Sequence, residues 1–199
     1  MNISISPAAF LLLAALMLLL PLQWVAAMVA AVLIHELFHA AAIRLLGGQL
    51  RRVFIGATGA VLETTTLSHG RELLAALAGP IGSGLLIFLA GRFPRLALCG
   101  AAHCAYNLIP LFPLDGGRAL KNLLFCLLPT PWAIRIYRLS QHTTVIILIA
   151  CCLFLVWKIG ILPLLALVFL LRKQRMENPL AKRPIFRYNR CNKDKGVRL

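Results

Sequence analysis

The stretch Ile34-His35-Glu36-Leu37-Phe38-His39-Ala40 lies inside an apolar run from residue 24 to residue 46. On a helix, two histidines four apart share one face, with a carboxylate just beside the first. Both imidazoles can then reach one zinc ion, and the glutamate can act on a water that the metal holds. The surrounding run reads as a membrane span, where three ionisable groups are expensive and mark a functional site by default. The expectation is a metalloprotease with its active site in the bilayer. The rest of the chain must supply a third ligand, a route for the substrate and a consistent topology.

Of the 199 residues, 60% are hydrophobic and only 14% are charged, and the mean hydropathy is +0.85. Too few charges remain to cover a soluble globule of this size, so composition points to a polytopic membrane protein. The longest clearly polar stretch is residues 172–199, read as a basic cytoplasmic tail behind a membrane-embedded domain at 1–171. No Lys or Arg precedes the apolar run that starts near Pro7, and no small-residue cleavage site follows it. That run is expected as a retained first span rather than a signal peptide. The six cysteines, Cys99, Cys104, Cys126, Cys151, Cys152 and Cys191, show no C-x-x-C spacing and read as small packing residues.

Apolar runs and turn signals divide the domain into six spans, at 6–22, 24–46, 72–90, 96–111, 140–157 and 159–171. The second covers about 35 Å at ~1.5 Å per residue, enough to cross a bilayer, and Gly47-Gly48 ends it. Residues 49–69 are rich in Gly, Thr and β-branched side chains and read as a hairpin or re-entrant sheet element. The predicted fold class is therefore an all-α polytopic membrane protein. It has about six transmembrane helices and a short β-hairpin or re-entrant element after the second. Ala75, Gly79 and Ser83 form a small-residue stripe at helical spacing, read as a close helix contact. Residues 121–131 read as a short interfacial helix, and Lys158-Ile159-Gly160 as a tight turn between the last two spans.

Charge tests that layout. With both termini cytoplasmic, every one of the 21 Lys and Arg except Arg92, Arg95 and Lys158 lies on the inner side. A bias of this size follows the positive-inside rule. The net charge of +15 is thereby read as topology, and the basic tail as contact with anionic lipid head groups. No nucleic-acid partner is expected.

On this topology His39 lies five residues before Arg44, about 8 Å below the inner end of its helix. Asp115 follows the inner end of the fourth span and approaches from the same side. Catalytic zinc takes three protein ligands and keeps one open position. Asp115, between Pro113 and Gly116-Gly117, is the best third ligand, with Glu63 and Glu72 as alternatives. His103 and Asn107, four apart on one helix face, could line the same cavity.

The two segments His35-Glu36-Leu37-Phe38-His39 and Asn107-Leu108-Ile109-Pro110-Leu111-Phe112-Pro113-Leu114-Asp115-Gly116-Gly117-Arg118 together resemble the site-2 protease family of intramembrane zinc metalloproteases. Members pair an H-E-x-x-H helix with a downstream N-x-x-P…L-D-G segment. The resemblance implies zinc held by His35, His39 and Asp115, with Glu36 as the general base. It implies that Asn107 helps to hold or polarise the substrate carbonyl. Ala78-Gly79-Pro80 matches the family's A-G-P segment, which often continues to an asparagine where this chain has Ser83. The implied substrate is a membrane-embedded or membrane-tethered protein cut near the cytoplasmic face, with a membrane regulatory partner as a further expectation.

The compact architecture most resembles the sporulation-type branch, which processes a membrane-associated pro-sigma factor. That would place the chain in a bacterial cytoplasmic or forespore-type membrane, with both termini cytoplasmic. A transmembrane helix hides its peptide carbonyls, so cleavage requires local unwinding. The element at 49–69 could pair with the freed strand. The competing reading is a zinc transporter or a non-catalytic scaffold. A transporter would want more intramembrane ligands, yet the last two spans contain no acidic residue, and an intact Glu36 speaks against a scaffold.

Overall fold

The computed structural model describes residues 2–56, 59–65, 67–159, 164, 167–168 and 170–172. Its elements run β1 (Asn2–Ile5), α1 (Pro7–Leu19), α2 (Leu22–Leu45), β2 (Leu50–Gly56), β3 (Gly59–Thr64), α3 (His69–Leu85), α4 (Pro94–Asn107), α5 (Asp115–Leu127) and α6 (Thr130–Ile159). They fall into two compact units: Met1–Leu67 with Arg71–Leu108, and Ser68–Gly70 with Ile109–Leu199.

In the first unit, α2 buries Ala27, Ala31, His35, His39 and Ile43. These five positions step by four and make one ridge of the helix surface. The opposite face exposes Leu33 and Leu37 rather than charges, as a lipid-facing helix does and a soluble amphipathic one does not. The helix stops in a Schellman motif: Gly48 N–H donates to Ile43 O at 2.8 Å and Gly47 N–H to Arg44 O at 3.0 Å. Gly47 carries φ 79°, the left-handed conformation that this cap places at the residue after the helix and that glycine adopts at least cost.

Strands β2 and β3 pair antiparallel, from Leu50↔Thr64 to Gly56↔Gly59, with a register shift between Leu50 and Arg52. The N-terminal strand β1 adds to β2 in parallel, Asn2↔Arg52 to Ile5↔Ile55, so the order is β1-β2-β3. Sequence reasoning does not anticipate β1, because four residues carry too little periodicity to register. Helix α3 continues as a 3-10 turn over Leu86–Leu89, and α4 begins with Pro94 in its first turn, where a missing N–H costs nothing. It ends at Asn107, short of the expected 111, because Pro110 disfavours helical backbone at Ile109.

In the second unit, α5 starts at Asp115, six residues before the interfacial helix expected at 121. A single 30-residue helix, α6, occupies 130–159, where the expected span begins at 140. It runs on through Lys158 and Ile159; Gly160, much of the expected sixth span and the tail from residue 173 lie outside the described residues. Buried Leu111, Leu114 and Leu170 pack with Ile109, Val145 and Leu148. Among the described residues three helical segments are long and apolar enough to cross a membrane: Leu22–Leu45, His69–Leu89 and Thr130–Trp157.

Candidate metal centre

Helix α2 presents His35 and His39 from its buried ridge, at 2% and 5% exposure. Their Nε2 atoms lie 3.1 Å apart. In a tetrahedral zinc site with Zn–N bonds of about 2.0–2.1 Å, two ligand atoms sit about 3.3 Å apart. The pair is thus spaced as two ligands of one ion.

The outer nitrogens are both engaged by α3. His39 Nδ1–H donates to Ala75 O at 2.7 Å; a carbonyl only accepts, so the neutral ring keeps its lone pair on Nε2. His35 Nδ1 faces Ser83 Oγ at 2.9 Å, and a hydroxyl can either give or accept. With Ser83 O–H donating, His35 Nε2–H donates in turn to His39 Nε2 and the pair satisfies itself. With His35 Nδ1–H donating, two Nε2 lone pairs converge, and a cation is what they then require. Metal-ligating histidines usually give the other N–H to such a partner. The donor chemistry fits zinc.

The stripe Ala75, Gly79, Ser83, read from sequence as packing, therefore has a second use. All three are buried. Ala75 supplies a carbonyl, Ser83 a hydroxyl, and Gly79 the room between them. A Cβ on Gly79 would lie 2.6 Å from His39 Cδ2 and Cε1, and one on Gly82 would meet the Phe38 ring. The one polar member at position 83 was the signal that sequence reasoning discounted.

Glu36 is half-buried on the same turn of α2 as His35. His103, on α4, sets its ring edge-on to His35, with centroids 4.5 Å apart. Asn107 spends one amide N–H on its own helix, donating to His103 O at 3.1 Å. Of the two α4 residues, His103 is thus the one whose ring meets the histidine pair.

In the second unit, Asp115 is 7% exposed and opens α5, where the helix dipole favours a carboxylate. Arg118 Nη1 lies 3.6 Å from its Oδ1. A carboxylate binds metal in its ionised form. His35 and His39 in the first unit, and Asp115 in the second, are each buried and each offer a ligand atom suited to a metal ion.

No family model matches the chain. It is 30% identical over 149 residues to stage IV sporulation protein FB of Bacillus subtilis, covering 67% of this chain and 49% of that protein. It is 28% identical over 107 residues to a zinc metalloprotease of Methanocaldococcus jannaschii, covering 47% of this chain and 32% of that one. The site-2 protease from Methanocaldococcus jannaschii has the same fold, with a TM-score of 0.67 over 94% of this chain and 95% of its own, at 20% identity. The chain belongs to the site-2 protease family. Within this family, it spans between about a third and a half of the two curated relatives it matches.

Proposed function

We propose that this chain is an intramembrane zinc metalloendopeptidase that cuts a membrane-embedded or membrane-tethered protein near the cytoplasmic face. His35, His39 and Asp115 hold the metal. The observation that carries the reading is the His35–His39 pair: two Nε2 atoms 3.1 Å apart, each on a ring anchored through Nδ1 to α3.

Bound zinc supplies a Lewis acid that polarises the scissile carbonyl and acidifies an attacking water. Glu36 takes the proton of that water as general base and then gives it to the leaving amine nitrogen. Ser83 and Ala75 hold the two imidazoles in the orientation that the ligand set requires. Asn107, with its carbonyl oxygen and second N–H, contacts the substrate peptide. The freed substrate segment adds as a strand to the outer edge of β3, which ends the sheet on the side away from β1.

Six spans with both termini cytoplasmic complete the reading, with the basic tail against anionic head groups. The likeness to stage IV sporulation protein FB supports a role in sporulation; within it we infer regulated intramembrane proteolysis, with a pro-sigma factor as the substrate class and a membrane partner as regulator. A zinc transporter or non-catalytic scaffold makes the opposite forecast for one substitution. Glu36→Gln should retain zinc at wild-type stoichiometry and lose cleavage of a reconstituted membrane-tethered substrate by at least about 100-fold, the lower end for a lost general base. Full cleavage by the variant would rule the protease mechanism out.

A further inference from the structure

We infer that Gln141 is a positioning residue for Asp115: its side-chain amide fixes the non-helical segment that leads into α5. The inference rests on the reading of Asp115 as a metal ligand. Between α4 and α5 the chain runs through residues 108–114 without helical structure. Pro110 and Pro113 offer no N–H, and the Phe112–Pro113 bond is cis. In a bilayer such backbone has no water to satisfy it and persists only where protein groups do.

Gln141 supplies those groups. It projects from α6 and is 5% exposed. Its Oε1 accepts the Phe112 N–H at 2.8 Å, and its Nε2 donates to Pro110 O at 2.9 Å. These two backbone groups flank Leu111, which is fully buried, so one amide pairs with the segment as a neighbouring strand would. Within the segment Leu111 N–H donates to Ile109 O at 2.7 Å, and Leu114 N–H to Leu111 O at 2.8 Å.

The same segment is pressed from the α5 side. A Cβ on Gly117 would lie 2.6 Å from Leu111 O, so the first turn of α5 rests directly on the backbone that Gln141 holds. Asp115 sits between these two constraints, one residue beyond Leu114 and two before Gly117. A buried amide that spends its acceptor and a donor on one short segment, immediately ahead of a ligand, sets where that ligand stands.

The test uses the full chain in detergent, with zinc affinity read by competition against a chromophoric chelator. Four proteins are compared: wild type, Q141M, D115N and the double variant. Methionine keeps the unbranched shape of glutamine and removes both hydrogen bonds. Q141M should bind zinc 10- to 100-fold more weakly, the loss typical of a ligand's supporting partner. D115N should lose at least as much, and the double variant should be no weaker than D115N. The visible absorption of cobalt-loaded Q141M should shift toward that of D115N.

Wild-type affinity in Q141M overturns the inference. So does a double variant that adds the full Q141M loss to that of D115N, because Gln141 would then act on the fold at large. Wild-type affinity in D115N instead removes the ligand assignment, and the inference falls with it. If Q141M does not yield monodisperse protein, Q141N decides: one methylene shorter with the same amide, it should show an intermediate loss, and wild-type affinity there overturns the inference equally.

Discussion

Ser83 carries a hydroxyl that gives or accepts with equal ease, and this sets what the histidine pair can do. A carbonyl at that position would fix one tautomer of His35; the hydroxyl permits both the self-bonded pair and the converged pair of lone pairs. Replacing it with alanine leaves α3 its backbone and removes the partner of His35 Nδ1. Ser83→Ala should therefore weaken zinc binding by about 10- to 100-fold while leaving thermal unfolding of the metal-free protein nearly unchanged. Chelator competition and a melting curve check the two halves. Unchanged affinity would mean that the edge contact from His103 and packing alone hold the ring. At this scale the sequence is legible where chemistry is local. His35, Glu36 and His39 announce themselves by spacing on one helix. The Ser83 contact closes across 48 positions and Gln141 reaches back across about 30, distances over which no spacing rule operates.

Elements reveal a different limit. Runs of apolar residues locate every helix of the first unit, and Gly47-Gly48 marks where α2 stops; the end of α4 comes earlier than expected because one residue, Pro110, decides it. A short helix at 121–131 and a span from 140 are expected as separate elements, yet Pro131 sits in the first turn of α6, where proline is tolerated, and one helix runs on through residue 140. The sheet yields the next prediction. β3 is an edge strand, and along a strand successive N–H groups point to opposite sides. Proline placed at Leu62 or at Glu63 therefore removes one N–H facing β2 and one facing outward. If substrate adds to the outer edge, the outward variant should process its substrate roughly 10-fold more slowly, about the worth of one or two backbone hydrogen bonds, with zinc content intact. Wild-type processing by both variants would exclude strand addition at β3.

At the scale of the whole molecule, the position of the histidines along α2 decides which side of a membrane the chemistry serves. At 24 residues, α2 is about 36 Å long at 1.5 Å per residue, close to the thickness of a bilayer core with its interfaces. Its two ends differ. At the start, the Arg95 guanidinium lies 5.9 Å from the Trp24 ring centroid, an aromatic–cation pair of the kind found at a membrane surface. Near the other end Arg44 occupies the last turn, and Arg51, Arg52 and Arg71 follow closely in sequence. The charge pattern points to an orientation without giving a count of spans, because α1 carries no charge and α4 only Arg95 in its first turn, which does not say whether either helix crosses. Orientation can be read chemically. In a background with the six native cysteines replaced, Gly91→Cys lies on the turn before α4, where a side chain meets nothing within 4 Å. Gln49→Cys lies just past the end of α2. An impermeant maleimide should label the first on intact cells and the second only after permeabilisation. The reverse pattern would set His35 and His39 beneath the outer surface, and a substrate cut there would release its fragment away from the cytoplasm.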